Sequence, residues 1–256
     1  MNDSFIDINL RYDSDIEKLK NCDTVIHLAG LAHGKYSKED LFRVNVELTK
    51  KLTDKAVEYG VRRLVYISSI NMLNQSDNQS STNSKRLAFE YLKKVSASND
   101  LEVVIVLTPL VYGSDAPGNF GLLTRLIDKT CLLPFGLTRN KRDFISVQNL
   151  TNLLVTCASH QNAAGHTFLA SESETVSIKE FTNAIAKGLG KKVYQLPVPV
   201  SLMRFAGKLL GKSAMVEQLV GNLQVDSSDL KKVLGWTPPY TMEESMALLK
   251  EQSKER

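Results

Sequence analysis

The sequence predicts an α/β protein: a parallel sheet followed by a smaller, mostly helical lobe. Three observations predict it. Short continuous apolar runs recur through the first half, and each ends at a turn signal. Each run alternates with a stretch of helical spacing. Past Pro109 this alternation gives way to helix-length segments, two of them opened by capping boxes.

The first run, Asp23 to Ala29, ends at Gly30 and reads as a buried parallel strand. Residues 46–59 follow, with Val46, Leu48, Leu52, Ala56 and Val57 at roughly helical spacing and Gly60 as the closing residue. Leu64–Ile67 is the next strand and runs into Ser68-Ser69. A polar loop over 71–84, a helix from about Ser84 to Ser96, and the strand 103–107 complete the series. Short strand–helix–strand connections make right-handed crossovers and hence a parallel sheet. Beyond it, helices are expected at 120–130, 149–158, 178–188, 201–210, 228–234 and 242–252, with short strands at 167–170 and 193–196. Ser177-x-x-Glu180 and Thr241-x-x-Glu244 supply the two capping boxes. These elements divide into a sheet domain over 1–115 and a lobe over 116–256, with some of the later chain returning to the sheet domain. The lobe is expected over the carboxyl ends of the strands, where open α/β folds bind ligands. Segment 201–210 is amphipathic. It is expected to pack Leu202, Phe205, Leu209 and Leu210 inward as a lobe helix, in preference to lying on a membrane surface.

Composition excludes other classes. The net charge of +4 is mild, and the densest basic run is only Arg139-Asn140-Lys141-Arg142, so no nucleic-acid partner is expected. No stretch of 18 apolar residues exists, which argues against a membrane span. The polar, acidic start is wrong for a secretory signal and points to a cytoplasmic protein. Cys22, Cys131 and Cys157 lie far apart without metal or redox spacing and are expected as buried thiols. The histidines also lack ligand spacing: His27 falls in a strand, and His33, His160 and His166 in loops. No metal site is expected.

Four short segments occur in one order: Val25-Ile-His-Leu-Ala-Gly30, Leu64-Val-Tyr-Ile-Ser-Ser69, Ser84-Lys85 leading to Ala88, and Leu107-Thr-Pro-Leu-Val-Tyr-Gly113. Leu133-Pro-Phe-Gly136, Arg142-Asp-Phe-Ile145 and Gln224-Val-Asp-Ser-Ser228 before Leu234-Gly-Trp-Thr-Pro238 follow. Each is weak alone, but the ordered set resembles the extended short-chain dehydrogenases/reductases, in the NAD-dependent epimerase/dehydratase branch. The resemblance covers essentially the whole chain. It implies a Rossmann-type sheet domain, NAD or NADP as cofactor, and a nucleotide-sugar (UDP- or dTDP-sugar) as substrate. It also implies a homodimer.

The family couples hydride transfer at a sugar carbon to proton transfer at the sugar hydroxyl, using a Tyr-x-x-x-Lys pair and a serine or threonine on the preceding strand. By resemblance Ser69 takes the serine position, Lys85 the lysine position, and Ser81 the position of the tyrosine. An unassisted serine hydroxyl titrates far above neutrality and cannot replace a phenol as proton relay. The nearest tyrosine, Tyr91, lies about 9 Å further along the helix axis and roughly 120° round from Lys85. For the cofactor, Asp7 and Ile8 resemble the dipeptide ending the third strand and contacting adenine. Ala29 and Gly30 resemble the small residues at the fourth strand's end, and Asn45 the asparagine preceding the next helix, where a plain helix N-cap is the alternative. Lys85 would hold the ribose, and Pro109 lies in a cofactor-contacting motif.

In the lobe, Arg142 offers a fork suited to a diphosphate. Asn119 resembles a diphosphate-contacting loop residue, with a turn asparagine as the alternative. Phe135 resembles a residue beside the uracil, with a core aromatic as the alternative. Asp226 resembles a carboxylate accepting from the nucleotide ribose, with a helix cap as the alternative. Thr108 stands where the family usually has arginine.

None of the fourteen glycines makes the family's Gly-x-x-Gly-x-x-Gly phosphate turn. With Asp7-Ile8 ending a third strand, the expectation is a truncated product, a mis-assigned start or a fragment. Strand 23–29 would then have a bare apolar edge. The reading is a nucleotide-sugar 4-epimerase or 4-keto-reductase of surface-polysaccharide synthesis, impaired by the missing turn and by Ser81. The alternative is a degenerate, non-catalytic relative that binds a nucleotide-sugar or a protein partner.

Overall fold

A computed structural model describes residues 6–10, 13–32, 36–74, 79–114 and 116–252. His33 falls outside the described residues. In chain order the first elements are α1 (Asp13–Ile16), β1 (Thr24–His27), α2 (Lys38–Phe42), α3 (Leu48–Glu58), β2 (Arg63–Ser69), α4 (Ser80–Ser98) and β3 (Glu102–Thr108). Next come β4 (Leu110–Tyr112), α5 (Asn119–Lys129), β5 (Leu132–Leu133), β6 (Phe144–Ser146), α6 (Val147–Ser159) and β7 (Thr167–Leu169). The last are α7 (Ile178–Gly188), β8 (Tyr194–Gln195), α8 (Val200–Leu209), α9 (Ser213–Val220), α10 (Ser228–Leu234) and α11 (Met242–Gln252).

The chain forms two compact units. One comprises Met1–Leu107, Leu153–Leu169 and Asp229–Trp236; the other Thr108–Asn152, Ala170–Ser228 and Thr237–Arg256. The first holds a parallel sheet of order β1-β2-β3-β7, with Val25 opposite Leu64 and Val106 opposite Phe168. This is the Rossmann-type arrangement that the continuous apolar runs require, because both faces of such strands are buried. Leu64, Val65, Val104 and Val106 are fully buried, and Leu52, Ala56, Ala88 and Leu92 of α3 and α4 close over the sheet. Among the described residues β1 pairs with β2 alone. The second unit is mostly helical. Tyr112, Phe120, Phe144 and Phe181 form its centre, with the Phe144 and Phe181 rings stacked at 3.8 Å. Gly188 of α7 lets the chain at Met246 of α11 come so close that an added Cβ would lie 2.4 Å from the Met246 carbonyl oxygen.

Both capping boxes form. Ser177 accepts from Glu180 N while Glu180 accepts from Ser177 N, and Thr241 and Glu244 repeat the arrangement. Elsewhere the structure corrects the sequence reading. Helix α4 opens at Ser80, so the polar stretch 71–84 is not one loop: Ile70–Leu73 is a 3-10 turn and Ser81 is already helical. The helix expected to begin near 46 is the end of a longer run that starts at α2, capped by Ser37 Oγ accepting from Asp40 N at 2.9 Å. A π-turn, Arg43–Glu47, joins α2 to α3, so Asn45 is no N-cap. Helix α9 and the pairing of β4 with β6 have no counterpart in the sequence reading. Of the cysteines only Cys157 is buried; Cys22 is half-buried and Cys131 exposed.

The largest reversal concerns α8. Leu202, Phe205, Leu209 and Leu210 do not pack inward; they are 53%, 59%, 72% and 71% exposed. The inner side of α8 carries Gly207, where an added Cβ would come within 2.7 Å of Val216 Cγ2 on α9. Only glycine permits that approach, and it turns the large side chains outward.

His27, on β1, is buried and shares a 2.9 Å hydrogen bond with Thr49 Oγ1. Burial pushes its pKa down to about 4, because the imidazolium would lose its water. The unfolded chain therefore takes up a proton near its ordinary value while the folded chain stays neutral, and stability falls as pH drops from that value toward 4. Between pH 7 and pH 4.5 this group alone is expected to cost roughly 2–3 kcal/mol. Urea unfolding at the two pH values checks it: His27→Gln should lose that part of the pH dependence, and an unchanged dependence would refute the assignment.

Candidate functional site

In the sheet unit, β2 ends at Ser69, and α4 places Ser81 and Lys85 four residues apart, on one helix face. The Ser69 hydroxyl accepts from Asn71 N at 3.3 Å and so caps the short turn after the strand. Lys85 is half-buried, with no carboxylate in salt-bridge reach among the described residues. Burial pushes its ammonium below the ordinary lysine value. An uncompensated ammonium at this place is suited to an electronegative partner such as a ribose hydroxyl or a phenolate.

Beside this pair lies a polar cluster. Asn45, almost fully buried in the π-turn, donates to the Leu31 carbonyl at 3.0 Å and to Ser84 Oγ at 2.9 Å, and accepts from Leu31 N at 2.7 Å. Ser84 in turn donates to the Ser81 carbonyl at 2.9 Å, and Ser81 Oγ donates to the Leu31 carbonyl at 3.4 Å. The arrangement ties the segment after β1 to the first turn of α4. The π-turn explains how an asparagine inside a helical run can aim at both: one extra residue in the turn rotates it out of the i,i+4 register. Ser84 was not a sequence candidate for this role, and only its place next to Lys85 in the motif hinted at it.

Ala29 and Gly30 are exposed at the carboxyl end of β1. A Cβ on Gly30 would sit 3.4 Å from Asn45 Oδ1, so the small residue keeps the ground beside Asn45 open. With Lys85 and Asn45 this gives small residues, a fixed amide and an ammonium at the strand ends, and these fit the nicotinamide-ribose end of a dinucleotide. Asp7 is exposed; Ile8 packs against the sheet core, and residues 6–9 carry no strand assignment. Tyr91 is committed elsewhere: its hydroxyl donates to Asp54 Oδ1, Lys50 lies 5.2 Å over its ring, and its pKa is pushed up to about 12, first by burial.

The helical unit holds the remaining candidates. Arg142 is buried, its backbone bridged to Val176 and Leu223, and its Nη1 donates to the Gly221 carbonyl at 2.9 Å. Among the described residues no carboxylate lies within salt-bridge reach of it. Burial lowers its pKa, partly offset by the charges of Glu217 and Asp143. Asn140 donates to the Leu219 and Gly221 carbonyls at 3.0 and 3.1 Å, and Asp143 accepts from Val225 N at 2.6 Å and from Thr175 Oγ1 at 2.5 Å. Segment 140–143 is thus laced to 219–225, the stretch that carries the Gln224-Val-Asp226 motif. Asn119 opens α5 behind Gly118 and donates to Gln218 Oε1 at 2.8 Å, which brings it to the same stretch.

Phe135 is a core residue of this unit, packed with Tyr112, Phe120 and Phe144, and packing accounts for its burial. Asp226 is exposed, and its Oδ1 accepts from Ser228 N at 3.0 Å at the start of α10. Pro109 is buried between β3 and β4. Among the described residues no group of three or more His, Cys, Asp or Glu side chains could hold a metal ion.

The Rossmann-type sheet, with a serine at a strand end and a lysine on the following helix, defines a short-chain dehydrogenase/reductase architecture. Residues 2–170 match the NAD dependent epimerase/dehydratase family, and the chain belongs to that family. A UDP-glucose 4-epimerase from Vibrio cholerae is 39% identical over 258 residues, spanning 93% of this chain and 78% of that protein. Among solved structures, a short-chain dehydrogenase/reductase superfamily protein from Agrobacterium tumefaciens with bound NAD superposes with TM-score 0.73. It is 17% identical and covers 97% of this chain and 84% of its own. MoeE5 in complex with UDP-glucose and NAD gives TM-score 0.72 at 20% identity, over 98% of this chain and 85% of that one. At these identities the two structures speak to fold.

Proposed function

We propose that this chain acts as a nucleotide-sugar 4-epimerase or 4-keto-reductase, with a UDP-sugar as substrate and a nicotinamide cofactor. The supporting observation is the 39% identity to a UDP-glucose 4-epimerase, over a match that spans both units. A bound nicotinamide would supply hydride transfer at C4 of the sugar. The chain's own residues supply the rest. Asn45 fixes the segment at Leu31, Lys85 holds a ribose hydroxyl, and Ser69 hydrogen-bonds the reacting sugar hydroxyl. Arg142, with Asn119 nearby along 218–221, takes the diphosphate, and Asp226 the nucleotide ribose. Supply of sugars for surface polysaccharide is the role this reading assigns.

Ser81 limits the proton step. Its hydroxyl cannot become an anion near neutral pH, so Lys85 has no phenolate to stabilise. This favours a second reading, a non-catalytic relative that keeps nucleotide-sugar binding. Both readings expect calorimetric titration to show UDP-glucose binding. They part on Ser81→Tyr, assayed in the full protein with NAD and UDP-glucose. On the enzyme reading this substitution is expected to raise C4 turnover by about 10²–10⁴-fold, the ordinary contribution of general acid–base catalysis. Equal turnover with Ser81 in place would show that the relay is another group; no turnover with either residue supports the binding protein.

A further inference from the structure

The exposed face of α8 is not accounted for by nucleotide-sugar chemistry. On a helical wheel Leu202, Phe205, Ala206, Leu209 and Leu210 fall within roughly 140° of one another. The four large side chains among them are each more than half exposed. Gly207 against Val216 fixes this orientation, because the residue that permits close packing lies on the opposite side of the helix. The apolar stripe is therefore outward by construction.

Charge identifies the occupant. From Phe181 to Val216 the sequence contains no Asp or Glu, while Arg204, Lys208 and Lys212 flank the stripe. Arg204 is paired with Glu217 at 2.9 Å. Lys208 and Lys212 are exposed, and neither has a carboxylate in salt-bridge reach among the described residues. A leucine- and phenylalanine-rich face bordered by unpaired lysines suits an anionic lipid surface: the stripe enters the acyl boundary and the lysines meet the headgroups. A second copy of the chain suits it less, since an isologous contact would bring the Lys208–Lys212 edge against itself.

We propose that α8 is an interfacial helix that docks this protein on anionic bilayer surfaces without spanning them. Flotation of the full chain with vesicles tests it. The protein should float with vesicles of phosphatidylcholine mixed with phosphatidylglycerol, and far less with phosphatidylcholine alone. About fivefold per lysine predicts a roughly thirtyfold drop in partitioning for Lys208→Gln/Lys212→Gln, and a similar fall in high salt. Leu209→Ser/Leu210→Ser should abolish flotation while leaving the thermal midpoint unchanged, because both side chains are in solvent; Phe205→Ser is the smaller probe of the same face. Wild-type protein that stays unbound on anionic vesicles overturns the proposal. So does equal flotation of the leucine variant with its fold intact. A concentration-dependent dimer that the leucine variant abolishes, without vesicle binding, assigns the face to a second copy instead.

Discussion

Arg63→Ala is expected to cost about 3–5 kcal/mol of folding free energy, the range for stripping one partner from a buried charged network. The side chain is 1% exposed at the start of β2. Its Nη1 donates to the carbonyls of Cys157, Ala158 and His160 at 3.0, 3.1 and 2.9 Å, and its Nε to Glu102 Oε2 at 2.7 Å. The last carbonyls of α6 have no partner within their own helix, and they lie at the negative end of its dipole. One guanidinium satisfies them and ties the helix end to the sheet. Alanine takes this donor from the Cys157 and Ala158 carbonyls, while the His160 carbonyl keeps Ala163 N at 3.1 Å and Glu102 keeps Arg62 at 3.0 Å. Because the damage is local to the acceptors, Arg63→Lys should recover part of the loss by keeping the charge and one or two of the bonds. Thermal unfolding is the check: a midpoint lower by roughly 10 °C is expected for a chain of this size. A fall of less than ~1 kcal/mol would mean that water replaces the guanidinium.

The second large effect falls on binding. Arg142→Ala should weaken UDP and UDP-glucose by about 2–5 kcal/mol, the penalty for removing one member of a desolvated charge pair, and leave uridine nearly unaffected. The reasoning is electrostatic. A buried guanidinium that, among the described residues, has one carbonyl bond and no carboxylate in reach retains donors for a diphosphate. Lysine at this position would keep the charge and lose the fork, so Arg142→Lys should recover only part of the affinity. Calorimetric titration of the three ligands separates the outcomes. Equal weakening of uridine and UDP would assign Arg142 to holding segment 219–225 in place, and unchanged UDP binding would remove it from the site.

These two arginines show where sequence reading reaches and where it stops. Arg142 stood out as a candidate because it lies in an ordered motif, Arg142-Asp-Phe-Ile145. Arg63 gave no signal, since its partners lie about a hundred residues on, at the end of a different helix. Asn45 was legible as a candidate but not in its role. An asparagine before an apolar helical stretch reads as a cap, and only the π-turn and the distant Ser84 show it as a tie. Ser81 was a candidate for the position of the family's tyrosine, but the stretch rich in serine and asparagine concealed that it is helical. Local propensity favoured a loop there, and packing of Ala88, Leu92 and Val95 against the sheet carries the helix back to Ser80.

By itself the sequence determined the strands of the four-stranded sheet, most of the helices, the capping boxes and the family, because apolar period and ordered motifs are local and survive without tertiary information. Only the tertiary structure decided which way an amphipathic face points. Periodicity shows that α8 has an apolar side; it contains nothing about what stands opposite. Gly207 against Val216 settles that, and it sends Leu202, Phe205, Leu209 and Leu210 into solvent because two helices can approach closely only on the side without large side chains.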